Sequence, residues 1–454
     1  MKTQKYAKRL RRLLIVALVV IHAMFLVSSC TDKEAKRKAK KEEHYQKGLA
    51  FVKEGRYNEA IIEFKNAIQQ DPNFANAYYQ LGLAQLEQEQ LSQGYGNLIK
   101  AVELDKNNID ARIRVAELYF SQGVREGDYS KAEVEIRDIL ELDPNNAKAY
   151  IIRARIFSTK ATRDQQEGNE EAAQEKYVHA LADIQKSIEL NPDDIEAYIV
   201  LGQIYLVQNK PEDARQAFEK VLTIDPENVR TYVFLASIAF KDEDTDKAEE
   251  LYQKVLQIDS ENMQGLVGMG EIYLSKNNYD KAIETANTVL NALPPESQDQ
   301  LSREEISARF ILGRAYLLQA TQQEQTDAET AKELYKKAKD ELEVVVGAAR
   351  NLASAYYSLG LAHSKLENFQ QAIEQFTEVL RMNPTHIPSL MNLAIVSGTT
   401  LRSWARARRS MSISRFSFLL AKPSRAFWQI FLNLLSSTSI SNLSSRSASP
   451  SLPA

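Results

Sequence analysis

The chain has 454 residues, 44% hydrophobic and 26% charged, with only 16 glycines and 12 prolines, a balance that permits a large buried core and excludes wholesale disorder or a collagen-like rod. One cysteine (Cys30) and five histidines (His22, His44, His179, His363, His386) exclude a disulfide framework and a Cys-cluster zinc site, and leave little for a metal centre of any kind. The formal charge of −4 hides a segregation: residues 1–29 carry six basic and no acidic residues, residues 398–454 carry eight and none, and the stretch between holds 43 basic against 61 acidic, so the body has no net basic face with which to grip nucleic acid or an anionic membrane.

Lys2, Lys5, Lys8, Arg9, Arg11 and Arg12 precede an apolar run from Leu13 to Val27. A permanent spanning helix needs about 20 apolar residues, and this run is shorter. A basic segment ahead of a short apolar one is the secretory pattern, so residues 1–29 read as an export signal. The run ends in Val27-Ser28-Ser29-Cys30. This box resembles the lipobox of bacterial lipoproteins. The resemblance implies cleavage before Cys30, acylation of its thiol and often of the new amine; two or three chains give stable anchoring. With Thr31 rather than Asp next, it implies the outer membrane, facing the periplasm. An ordinary signal or an uncleaved anchor with an incidental cysteine is the competing reading. Residues 30–40 follow as a charged tether with no apolar face, equally suited to the first turn of a helix.

From residue 41 small residues recur in register. One set is Gly48, Gly82, Ala116, Ala154, Gly202, Ala236, Gly270, Gly313 and Gly360. Its partner set is Ala60, Gly94, Ala132, Ala180, Ala214, Ala248, Ala282, Ala338 and Ala372. Larger residues stand one turn away, such as Tyr198, Leu201 and Phe218, with the spacing of one helical face. Pro72, Pro144, Pro192, Pro226, Pro294 and Pro384 close the second helix of each pair. Lys106, Ser260 and Arg350 replace the proline in the other copies, which leaves those turns less defined. The pattern resembles the tetratricopeptide repeat, a 34-residue helix–turn–helix, although the family's early tryptophan is absent. Nine copies align: 41–74, 75–108, 109–146, 147–194, 195–228, 229–262, 263–296, 306–352 and 353–386.

The resemblance implies an all-α solenoid, a right-handed superhelix of about nine repeats plus a broken tenth, with the first helix (A) of each repeat on the concave side. Repeats 1–7 span 41–296, a spacer 297–305, and repeats 8–9 with the partial tenth 306–397. Extra length falls between helices A and B near 121–129, 159–176 and 319–334. The latter two stretches are rich in Gln, Glu and Ala and are expected to prolong their helices.

The family's chaperone-tail clamp needs Lys at the fifth and Asn at the ninth position of helix A. Neither occurs in any copy, so that clamp is not expected. Apolar and aromatic residues fill the fifth position and most of the twelfth. Tyr45, Leu49, Tyr79, Leu83, Phe120, Ile199, Phe240, Phe310 and Tyr357 are the candidate anchors for a peptide or protein ligand. The competing reading is that they merely pack one helix A on the next. No phosphate loop, G-x-S-x-G, H-E-x-x-H or Cys–His pair is present, so neither an enzyme, a cofactor nor a metal is expected.

Beyond residue 397 the repeat phase breaks. Residues 398–454 hold fifteen serines, both tryptophans (Trp404, Trp428) and no acid. They read as a disordered tail or as the product of a shifted reading frame, against a native basic tail that touches acidic lipid or protein. The function expected is a non-enzymatic, lipid-anchored scaffold that recruits proteins for secretion, pilus or exopolysaccharide assembly. The alternative is the recruiting half of an enzyme, a glycosyltransferase or peptidase, with its catalytic part lost after residue 397.

Overall fold

A computed structural model describes residues 34–293 and 301–408. The export signal, Cys30, Pro294 and the tail beyond 408 lie outside the described residues. The chain divides into two compact units, Met1–Ile238 and Ala239–Ala454. The described residues form helices and turns and no strand. The first unit holds α1 (34–53), α2 (Tyr57–Gln70), α3 (Ala75–Leu86), α4 (Leu91–Leu104), α5 (Ile109–Glu126), α6 (Ser130–Leu142), α7 (Ala147–Gln166), α8 (Glu170–Leu190), α9 (Ile195–Val207), α10 (Pro211–Ile224) and most of α11 (Val229–Lys241). The second holds α12 (Thr245–Ile258), α13 (Met263–Ser275), α14 (Tyr279–Ala292), α15 (Arg303–Gln323), α16 (Ala328–Ala348), α17 (Ala353–Lys365), α18 (Phe369–Met382) and α19 (Ile387–Arg408).

Odd-numbered helices are the A helices and even-numbered ones the B helices of a tetratricopeptide array. From α2 to α10 and from α12 to α19 each packs on its sequence neighbour, and α5, α7 and α9, like α13, α15, α17 and α19, also touch successively. Among α5, α7 and α9, and among α13, α15, α17 and α19, the A helices therefore form the more closely spaced layer.

The pairs close on small residues. A methyl group on Gly48 would stand 2.5 Å from the ring of Phe64, and one on Gly360 2.7 Å from that of Phe376. Where helix A carries Ala116 or Ala154, helix B offers Ile136 or Ile184 in the same register, each fully buried. Isoleucine leaves room for the methyl in these two pairs, whereas leucine does not: a methyl on Gly82 or Gly313 would stand 2.8 or 2.5 Å from Leu98 or Leu342.

The turn between repeats is made by the residue before the proline. Asp71, Asp105, Asp143, Asp225 and Asp259 end their helices with extended backbone. In each, Oδ1 accepts the N–H two residues on, at 3.0–3.2 Å. Each carbonyl then accepts the N–H three residues on, at 3.1–3.3 Å. In several copies that third residue caps the next helix A, as Asn108, Asn146 and Asn262 do. Lys106 and Ser260 thus sit in the same turn as the prolines; carboxylate and backbone close it without the ring. Lys106→Pro is accordingly expected to stabilise the protein by about 0.4–1 kcal/mol, through a stiffer unfolded chain. Asp105→Ala is expected to cost about 1 kcal/mol, the net worth of one such hydrogen bond. Urea unfolding of the two variants beside the parent checks both signs.

Three boundaries differ from the expectation. Helix α1 already runs at residue 34, so residues 34–40 are helical rather than a separate tether. Arg37 and Lys41 reach across to the Gln70 carbonyl and the Asp71 carboxylate (3.1 Å each from Arg37 Nε and Lys41 Nζ). Helix α15 starts at Arg303 rather than 306, because Ser302 caps it by accepting the Glu305 N–H at 3.0 Å. Helix α19 continues to Arg408, so loss of repeat phase at 398 does not end the helix. The extra length of repeats 3, 4 and 8 extends α5, α7, α8, α15 and α16 to 18–21 residues.

Candidate peptide-binding face

Two of the nine candidate anchors are core residues. Phe120 is 7% exposed and Ile199 3%. Phe120 is covered by the Arg155 guanidinium at 4.6 Å and flanked by Tyr129. Ile199 lies on α9, which packs against α7, α8 and α10. Neither is available as an anchor. The other seven, Tyr45, Leu49, Tyr79, Leu83, Phe240, Phe310 and Tyr357, are half-buried. Tyr45 leans on Phe64 and Phe74, with ring centres 5.9 and 4.9 Å away, and Leu49 packs beside it. Tyr79 and Leu83 pack on the cluster around Leu98 and Val115. Tyr357 meets Phe376 and His386 and accepts from Asn392. Each of these is both a packing residue and part of the surface.

The charged residues of the face were less legible. Arg112, 6% exposed, holds Glu135 and Asp138 on α6 and the carbonyl of Lys106. Arg153 grips Asp183 of α8 with two bonds of 2.6–2.7 Å, and that contact holds its guanidinium above the ordinary range. Ninth positions of helix A carry a second theme. Arg314 of α15 meets Glu271 of α13 at 2.6 Å and lies over Phe310. Arg155 of α7 occupies the matching place after Glu117 of α5. Glu117 instead takes Arg114, three residues earlier on its own helix, at 3.0 Å. Glu196 of α9 takes Arg230 of α11 at 3.2 Å. Arg155 has no ion pair or side-chain hydrogen bond among the described residues. Burial pushes its guanidinium below the ordinary range, with the charges of Glu196 and Glu117 opposing that and Arg230 adding to it.

The histidines read as packing and surface groups. His44 bonds Glu63 at 2.6 Å, His179 lies against Phe157, and His386 meets the hydroxyl of Ser389 at the start of α19. His363 is buried, and burial lowers its pKa. Among the described residues no group of three or more His, Cys, Asp or Glu is placed to hold a metal. None of their helices is long and apolar enough to cross a membrane. In the second unit an open polar groove lies between the turn after α13 and the end of α15, lined by Lys276, Asn278, Asp280, Gln319, Gln323 and Thr326.

Residues 160–300 match the family described as the cytochrome c-type biogenesis protein H TPR domain. Residues 48–89 match a TPR repeat family and residues 353–386 the tetratricopeptide repeat itself. The peroxisomal targeting signal receptor of Komagataella phaffii is 33% identical over 90 residues, which cover 20% of this chain and 16% of the receptor. Human peptidyl-prolyl cis-trans isomerase FKBP4 is 24% identical over 150 residues, 30% of each chain. The matched region therefore spans under a third of either relative. The crystal structure of the APC/C hetero-tetramer Cut9-Hcn1 resembles this chain with a TM-score of 0.50 at 15% identity, over 78% of this chain and 75% of that one, a likeness of fold.

Proposed function

We propose that this chain, a tetratricopeptide repeat protein, is a non-enzymatic scaffold that takes peptide segments on its A-helix layer while lipid on Cys30 holds it to a bacterial envelope. The observation that carries the first half is the recurrence of half-buried aromatic and aliphatic side chains along that layer, Tyr45, Leu49, Tyr79, Leu83, Phe240, Phe310 and Tyr357. Tyr45 and Leu49 on α1 recur one repeat later as Tyr79 and Leu83 on α3, and partly exposed apolar groups repeated on successive helices suit the side chains of an extended or helical segment. The name of the peroxisomal relative, a receptor for a targeting signal, agrees with peptide recognition by such repeats. The ligand assembly, whether of secretion, pilus or exopolysaccharide, and the outer-membrane, periplasm-facing location belong to the same proposal.

A photo-crosslinking residue at Tyr79, compared with one at the exposed Val178 on α8, tests the face. Cross-linked partners from Tyr79 and none from Val178 are expected; equal labelling from both, or none from either, rejects it. Anchoring is tested separately. Mass spectrometry of the mature N-terminal peptide is expected to show acyl groups on Cys30, and Cys30→Ser to accumulate precursor. A free thiol, or cleavage at another bond, rejects the lipid anchor and leaves the peptide face standing.

A further inference from the structure

We infer that Arg155 is the docking point for an aspartate or glutamate side chain of the bound segment, so that the ligand of the first unit is an acidic peptide. The inference rests on the peptide-binding reading and specifies its chemistry. A guanidinium carries five N–H donors in a planar fork that matches a carboxylate. Other buried and half-buried arginines meet acceptors of the protein itself: Arg112 meets Glu135 and Asp138, Arg153 meets Asp183, Arg309 meets Glu305 and Glu341, Arg314 meets Glu271, and Arg163 meets the Gly127 carbonyl. Arg155 is half-buried on the same layer, backed by the Phe120 ring, and its fork meets no acceptor among the described residues.

The second unit shows what such a fork accepts. Glu271 and Arg314 stand at the ninth positions of successive A helices, and the carboxylate reaches the guanidinium at 2.6 Å. Glu117 and Arg155 stand in the same relation. The difference is local: three residues before Glu271 is Gly268, while three before Glu117 is Arg114. One helical turn brings Arg114 onto Glu117, and Arg230 holds Glu196 from the other side. Both acids that face Arg155 are thereby engaged. A carboxylate from outside would complete the arrangement that Glu271 completes in the other unit. It would gain strength from the partial burial, since charge-assisted bonds strengthen as water is excluded.

The test pans a random twelve-residue library, displayed on phage at the N-terminus of a coat protein, against the purified full chain. Displayed this way, peptides offer side-chain carboxylates and no free C-terminus. Peptides enriched by the parent are expected to carry Asp or Glu at one aligned position, and the Arg155→Gln pool to lose that preference. Arg314→Gln, whose partner is internal, is expected to keep it. For an enriched peptide made synthetically, changing the aligned Glu to Gln is expected to weaken binding to the parent about tenfold and to leave binding to Arg155→Gln unchanged. That peptide change also stands alone should the Arg155→Gln protein not fold. Binders without acidic preference, or with equal loss on both proteins, overturn the carboxylate site and leave the peptide face intact. No enrichment on any of the three proteins overturns both.

Discussion

Gly202→Leu is expected to lower the unfolding midpoint sharply, and Gly202→Ala to do so already. A Cβ at this position would lie 2.5, 2.6 and 2.9 Å from three carbons of the Phe218 ring. The ring cannot retreat. It is fully buried and stacks on Phe234 with centres 4.9 Å apart and planes 8° from parallel. Overpacking of this kind costs about 1–3 kcal/mol and sometimes more, with leucine at the upper end. Against this, alanine regains up to about 1 kcal/mol of helix propensity over glycine, which does not cancel the clash. The neighbouring pair Ala154 and Ile184 supplies the control. Phe218→Ile alone is expected to destabilise by leaving a cavity. Combined with Gly202→Ala it rebuilds the Ala–Ile pairing, and the double variant is expected to be clearly more stable than the sum of the two singles. Additive losses in thermal unfolding would show that the two side chains do not share this space. Because repeat arrays are coupled through nearest neighbours, hydrogen exchange is expected to rise in α7 and α8 as well as in α9 and α10.

Arg112→Met is the second large loss. It removes the partner of two carboxylates, Glu135 and Asp138, and a donor to the Lys106 carbonyl. Breaking a buried pair from one side costs about 3–5 kcal/mol; Asp138 remains partly in water, so about 2–3 kcal/mol is expected here. Two acids left side by side repel, so the loss in urea unfolding is expected to shrink at high salt. Replacing Glu135 by leucine in the same chain is expected to restore much of it, since apolar substitution of a whole buried pair is often neutral. An Arg112→Met protein as stable as the parent would show that the triad contributes packing alone.

The repeat register was legible in the sequence because it rests on a local requirement repeated at fixed spacing. Small residues such as Gly48 and Ala60 mark each helix pair, and helices begin at Ala75, Ile109, Ala147, Ile195, Val229, Met263, Ala353 and Ile387 as the register predicts. The turns were read from the proline alone. Proline is conspicuous, but Asp105 and Asp259 close the same turn without it. The A-to-B turns carried a similar disguise: Glu89, Asn209, Glu243, Asn277 and Glu367 take positive φ of 56–65° where glycine is the usual signal.

Candidate anchors were legible by position only. Periodicity says that Phe120 and Ile199 lie on helix A's inner side; it does not say how far the next helix covers them. That depends on helix lengths and crossings set by residues dozens of positions away. The pairing of charges depends on the same distances. Arg112 finds acids 23 and 26 residues on, Arg153 one 30 residues on, and Arg314 one 43 residues back. Composition and periodicity by themselves determined that this chain is a helical repeat protein and where most of its repeats begin, because helix formation and small-residue packing act over one or two turns. Tertiary structure alone decided which acids Arg112, Arg153 and Arg314 reach and that Arg155 reaches none among the described residues, because Coulomb attraction and burial depend on distances between helices and a rival three residues away can capture the same carboxylate.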